Sequence, residues 1–372
     1  MNSDNPGRGE ANLVQTSFEA DHDFLSKEMD VLEGRALTRS RLGFFSIGRI
    51  SGVYLLILMI AIFSIWLPSV FPTVITLQTI LSSQAVTGVA AVGLVFVLVA
   101  GAFDLSIGYT MALTGIVVAK LFATGMNWGL AIIIGLLLSC GIGAINGIFV
   151  EVIGIDSFIA TLAMGAILDA IAIGISGDTQ IVGFPQSFLN FMTRMPAGVP
   201  IDFLFLLALS IASWYILART SYGRRLYAVG FNREAARLAG VAVKRSGFIA
   251  FVLTALFAGI AGVVLLGVVD VASPDNGSSY LIPVFAAALL GATQIQPGRP
   301  NVWGALIAAY LLATGTTGLQ LAGASAWAAD VFNGVALLFA VGLGVFQGRI
   351  ALWRKVRARS ARVTANQPEI AS

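Results

Sequence analysis

Few residues in this chain can do chemistry, and most of those lie in apolar company. Asp169 sits deep in a run of hydrocarbon side chains, where an acid costs roughly 2.5–3.5 kcal/mol on insertion scales. It fits either a translocation path or a polar bond between helices. Gln84, Asn146 and Asn333 face the same two readings, interhelical hydrogen bonding or lining a polar pore. Asp104, in the string GAFDLSIG with Ser106 and Gly108, suits a cap, because its carboxylate can accept from the free N–H groups of the turn that begins at Leu105. One histidine, His22, and one cysteine, Cys140, exclude an intrachain disulfide, a Cys/His zinc cluster and a His-based triad. None of the four lysines follows a glycine, so there is no GxxxxGK[ST] phosphate loop, and no cofactor is expected in this chain.

A second group is a basic loop. Seven Lys and Arg residues fall within 219–245, and inside that loop lies EAARLAG, residues 234–240. Ala, Glu, Arg and Leu favour a helix there, with Asn232 placed as its N-cap. The preceding TSYGRRLYAVG, with Gly223 and Arg224, sets Tyr222, Tyr227 and Phe231 among arginines. Such an amphipathic surface could dock in a partner's groove, but composition alone favours a topology loop whose aromatics rest at the lipid headgroups.

The elements that must hold these groups are hydrocarbon. Of 372 residues 57% are hydrophobic and 11% charged, with mean hydropathy +0.89, against roughly 25% charged for a soluble domain. An all-α integral membrane protein follows. About ten runs approach the ~20 apolar residues that a crossing needs: 50–67, 78–100, 106–123, 128–150, 157–175, 203–218, 248–269, 281–292, 302–321 and 327–346. The charge and glycines of GAFDLSIG predict a break between the second and third. The domains expected are a polar tail at 1–49, a transmembrane domain at 50–348 and a basic tail at 349–372. With ten spans and the N-terminus inside, 19 of the 22 Lys and Arg residues fall in the two tails and the loop at 219–245, all cytoplasmic. Charge thus reports topology and anionic lipid, and nucleic acid is not an expected partner. Glycines within spans, such as Gly143, Gly147, Gly259 and Gly262, predict close helix packing. GAFDLSIGYTMALTG from Gly101 and GATQIQPGRPNVWGA from Gly291 are weakly alike at an offset of 190 residues, which would suit two related halves.

The stretch from Thr220 to Val264 resembles the coupling-loop region of ABC transporter permeases of the ribose and simple-sugar group. Glu234, Ala235, Ala236 and Gly240 match the EAA-x-x-x-G core of the permease motif, although its later Leu-Pro is missing. GAFDLSIGYTMALTG, NGIFVEVIGIDSFIATLAM and GATQIQPGRPNVWGALIAAYLL resemble other segments of that group in the right order, over about residues 84–346. The resemblance implies a permease of the bacterial inner membrane that imports a sugar or similar small polar solute by alternating access. It implies a second permease copy in a homodimer, a periplasmic solute-binding protein, and a cytoplasmic ABC ATPase carrying the ATP and Mg. Gly223, Arg224, Asn232, Glu234, Ala235, Ala236 and Gly240 would couple to that ATPase, with bulk at Gly240 blocking the contact. The alternative is a proton- or sodium-coupled secondary transporter with Asp169 or Asp104 as the ion-linked acid.

Overall fold

A computed structural model describes residues 51–296, 298–340 and 342. The tails at 1–49 and 349–372, the end of the run at 327–346, His22 and Pro297 lie outside the described residues. Within them the secondary structure is helical, with one isolated bridge between Ile181 and Ala272. The helices are α1 (Ser51–Trp66), α2 (Val74–Val99), α3 (Ile107–Ala123), α4 (Trp128–Gly147), α5 (Ser157–Ser176), α6 (Gln186–Met192) and α7 (Ile201–Arg219). They continue with α8 (Ser221–Phe231), α9 (Arg233–Leu238), α10 (Val243–Val269), α11 (Asn276–Gly291), α12 (Val302–Leu321) and α13 (Ala326–Ala340). A π-helical turn, Ile148–Ile153, extends α4.

Six helices are long and apolar enough to cross a bilayer: α2, α4 with its π turn, α5, α7, α10 and α12. Four more apolar helices, α1, α3, α11 and α13, are shorter, so six crossings are supported against the expected count of about ten. Local signals explain the boundaries. Side chains of Thr73, Asn127, Asp156, Thr220, Asn232 and Asn301 each accept from backbone N–H groups in the first turns of α2, α4, α5, α8, α9 and α12. The break expected near GAFDLSIG separates α2 from α3. α11 begins five residues before the run at 281, because its first turn, Asn276 to Ser279, is polar yet helical.

α2 and α10 are enclosed for most of their length, whereas α4, α5 and α7 keep most of their surface outward. α10 packs on α2, α3 and α4. Hydrocarbon solvent gives no drive for helices to associate, so contact must come from close approach of small residues and interhelical hydrogen bonds. Gly143 of α4 faces Ala255 and the Phe251 carbonyl, Gly259 of α10 faces Ser139, and Gly262 lies on the Met111 carbonyl of α3. Thr254 Oγ1 donates to the Gly93 carbonyl of α2 at 2.9 Å, buried. At one end of the bundle Phe122, Phe184, Phe188 and Trp128 gather around α6. At the other end the chain turns at 100–106, 148–156, 219–243 and 292–301.

Gly143→Val should destabilise the detergent-solubilised protein by about 1–3 kcal/mol through overpacking, since a Cβ at Gly143 meets three atoms of α10 at 2.6–2.9 Å. Gly141→Ala, on the same helix with nothing within 4 Å, should be neutral or slightly stabilising. Thermal unfolding of the two variants side by side checks the contrast.

Candidate coupling surface and the polar groups behind it

The basic loop folds as two helices, one more than its sequence suggests. Thr220 is extended at φ −91° and ψ 161°, and its Oγ1 accepts from Gly223 N at 3.3 Å, which starts α8 immediately after α7. Gly223 itself lies against the Leu217 carbonyl, where a side chain would overlap backbone. α8 buries Gly223, Leu226 and Val229 and exposes Arg224 and Arg225. Its tyrosines anchor it sideways. Tyr222 OH donates to the Ser246 carbonyl of α10 at 3.1 Å, and Tyr227 OH to the Pro300 carbonyl at 2.8 Å. Arg299 stacks over the Tyr227 ring at 4.5 Å. Burial pushes both phenols up from their ordinary range, and Arg299 opposes this at Tyr227. Gly230 packs on the Val99 carbonyl at the end of α2. α8 therefore touches α2, α10 and the turn that leads into α12.

Asn232, at φ −157° and ψ 103°, turns the chain into α9, and its Oδ1 accepts from Ala235 N at 2.9 Å. Ala236 is the buried residue of α9 and packs with Val229 and Val243. Glu234 and Arg237 lie on the opposite face, joined by Nη2–Oε1 at 2.6 Å and Nε–Oε2 at 3.1 Å. This bond to Arg237 holds the Glu234 carboxyl below its usual range. Phe231, the last residue of α8, and Leu238, the last of α9, are 94% and 76% exposed. Two bare apolar side chains beside a polar helix face form a surface suited to a partner's groove. Gly240 ends α9 at φ +80°, and nothing lies within 4 Å of where its Cβ would be. A large residue there meets backbone strain first, because L side chains disfavour that conformation. Bulk at Gly240 is thus a poor probe of docking, and Phe231 and Leu238 are better ones.

The turn between α2 and α3 collects polar groups inside the bundle. Asp104 Oδ1 accepts from Ser106 N at 3.0 Å and Ser106 Oγ at 2.6 Å. Asn146 Nδ2 donates to Ser106 Oγ at 2.8 Å. Ser157 Oγ and Thr161 Oγ1 of α5 accept from Phe103 N and Leu105 N. Irregular backbone enclosed by helices is tolerable because side chains of neighbouring helices satisfy it. Gly108, the second residue of α3, lies against the Gly277 carbonyl at the start of α11. The structure thus brings Asn146 together with Asp104 and Ser106, while Gly108 packs on α11. Asp169, half-buried on α5, Gln84, half-buried on α2, and Asn333, buried on α13, make no side-chain hydrogen bond among the described residues and stand apart from this cluster.

Three polar residues absent from the expected set are wholly or nearly buried. Glu151 pairs with Arg233. Asp202, in the first turn of α7, accepts from Ser82 Oγ of α2. Asn301 Nδ2 lies 3.0–3.2 Å from the carbonyls of Gly291, Gln294 and Arg299, while its Oδ1 accepts from Gly304 N. Glu151 and Asp202 had one signal in the sequence: each is a lone acid flanking a hydrocarbon run.

Residues 76–341 match the family model described as branched-chain amino acid transport system / permease component. The chain belongs to this permease family. It is 33% identical over 290 residues to the ribose import permease protein RbsC of Escherichia coli, covering 77% of this chain and 90% of that protein. It is 31% identical over 291 residues to the D-allose transport system permease protein AlsC of the same organism, covering 78% and 89%. The autoinducer 2 import system permease protein LsrD of Salmonella paratyphi B is 31% identical over 260 residues, covering 68% and 78%. No solved structure matches significantly. This permease is a multi-pass membrane protein and a transport component, with no enzymatic role of its own.

Loss of the Asn232 cap in Asn232→Ala should weaken α9 locally by about 0.5–2 kcal/mol. Faster amide exchange at Ala235 and Ala236 with an unchanged unfolding temperature is the expected result of hydrogen-exchange mass spectrometry.

Proposed function

We propose that this permease imports a sugar or similar small polar solute across a bacterial inner membrane, driven by a separate ABC ATPase. The observation that carries the reading is the exposed surface of α9, flanked by Phe231 at the end of α8 and closed by Leu238, on a basic loop whose buried side is fastened to α2, α10 and the α12 turn. A surface of that kind can receive movement from a partner and pass it to the membrane helices. Resemblance of 234–240 to the permease coupling motif, and relatives whose names specify ribose and D-allose, support the same reading. Ten crossings with cytoplasmic termini agree with it, since the loop at 219–245 and the turns at 100–106, 148–156 and 292–301 share one end of the bundle, and the aromatic cluster around α6 occupies the other. Gly223, Arg224, Asn232, Glu234, Ala235, Ala236 and Gly240 build or border the coupling surface. Asp169 and Gln84, half-buried on the membrane helices, are candidates for the solute path, together with Asn146 and Asn333. A second copy of the chain and a periplasmic solute-binding protein complete the importer.

Affinity purification of the chain from its native membrane in mild detergent should recover a stoichiometric ATPase subunit by mass spectrometry. Phe231→Ser with Leu238→Ser should lower the recovered ATPase several-fold while leaving insertion and monodispersity unchanged. A monodisperse preparation without any ATPase that takes up radiolabelled D-ribose when reconstituted alone, and loses that uptake with a protonophore, would overturn the reading in favour of ion coupling.

A further inference from the structure

Among the described residues Glu151 is the one buried acid held in an ion pair. Its side chain is wholly enclosed and that of its partner, Arg233, is 51% exposed. The contact is a two-pronged fork: Arg233 Nη1 donates to Oε1 at 3.3 Å, and Nη2 donates to Oε2. The carboxylate rests on Gly247 of α10, where any larger residue would overlap it. Glu151 stands on the π-helical turn that continues α4, and Arg233 is the first residue of α9, adjacent to Glu234. One side-chain pair therefore joins α9, α4 and α10.

Stability is a weak reason for such a pair, because apolar residues of the same volume commonly serve a buried site as well. Direction is a better one. The fork is planar and bidentate, so it fixes orientation as well as distance. Among the described residues it is also the only side-chain hydrogen bonding that ties α9 to another helix or turn, since the remaining bonds of α9 stay within 232–237. The apolar contact of Ala236 with Val229 and Val243 holds α9 to α8 and α10, but leaves α4 untouched.

We propose that Glu151 and Arg233 form the link through which displacement of α9 reaches α4. Both are positioning residues. The inference rests on α9 being the ATPase contact, and it adds a defined route from that contact to one membrane helix. α4 carries its own reporter, Cys140, the single cysteine of the chain, half-buried and about three turns before Glu151.

The test uses the chain co-purified with its ATPase in lipid nanodiscs. N-ethylmaleimide alkylation of Cys140 is followed by mass spectrometry of this chain, with and without ATP plus vanadate. In the unsubstituted protein, trapping should change the alkylation rate several-fold. Glu151→Gln should abolish that change with the ATPase still bound and still hydrolysing ATP, a separation that a purely structural role would not produce. Glu151→Gln is the discriminating variant because it leaves only the half-exposed Arg233 unpaired, whereas Arg233→Gln strands a buried carboxylate. The double variant should behave as Glu151→Gln does, as expected for two groups acting as one unit. An unsubstituted protein whose Cys140 rate ignores trapping, or a Glu151→Gln protein that responds as fully, overturns the link. Absence of any ATPase from the unsubstituted preparation overturns the importer reading, and the link with it.

Discussion

Close backbone approach between α10 and its neighbours is the constraint on which the rest depends. In hydrocarbon surroundings apolar area gives no preference for helix over lipid, so α2, α3, α4 and α10 can stay together only where small residues let backbones meet. Gly143, Gly259 and Gly262 supply those contacts, and Thr254 adds a hydrogen bond to the Gly93 carbonyl. Once that core is set, the ends of the helices are fixed within narrow limits. The turns at 100–106 and 292–301 are then held where α8 can bridge them, through Gly230 on Val99 and Tyr227 on Pro300.

The basic loop is a layered object. α8 buries Leu226 and Val229 and fastens itself with two tyrosine hydroxyls, while Phe231 at its end and Leu238 at the end of α9 are left exposed. The arginines of the loop therefore have varied work. Arg237 pairs with Glu234 and Arg233 reaches Glu151, while Arg299 of the turn before α12 stacks on Tyr227 from outside the loop. A charge run that is bland in composition proves specific in its contacts.

Much of the fold is legible in the sequence because its helix boundaries are local. Asn127, Asp156, Asn232 and Asn301 cap helices within three residues of themselves, and runs such as 128–150 and 302–321 need no knowledge of neighbours. α8 was hidden because its few apolar positions are interleaved with arginines, and the start of α11 because its first turn is polar. The polar site divides the same way. The Asp104–Ser106 contact spans two residues and a short motif announces it, whereas Asn146 meets Ser106 across 40 residues and Arg233 meets Glu151 across 82. Pairings of that range are decided by helix packing, which no local pattern carries.

The π-helical turn at Ile148–Ile153 has a consequence in the language of insertion and deletion. Such a turn holds one residue more than an α-helix of equal rise would, closing here with Gly154 N on the Phe149 carbonyl. Lengthening the regular part of α4 before this turn by one residue would swing the glutamate by about 100°, away from Gly247 and the guanidinium. Where the surrounding helix tolerates substitution of one hydrocarbon for another, this segment is intolerant of a change in length, and reading-register along the chain becomes a structural variable there.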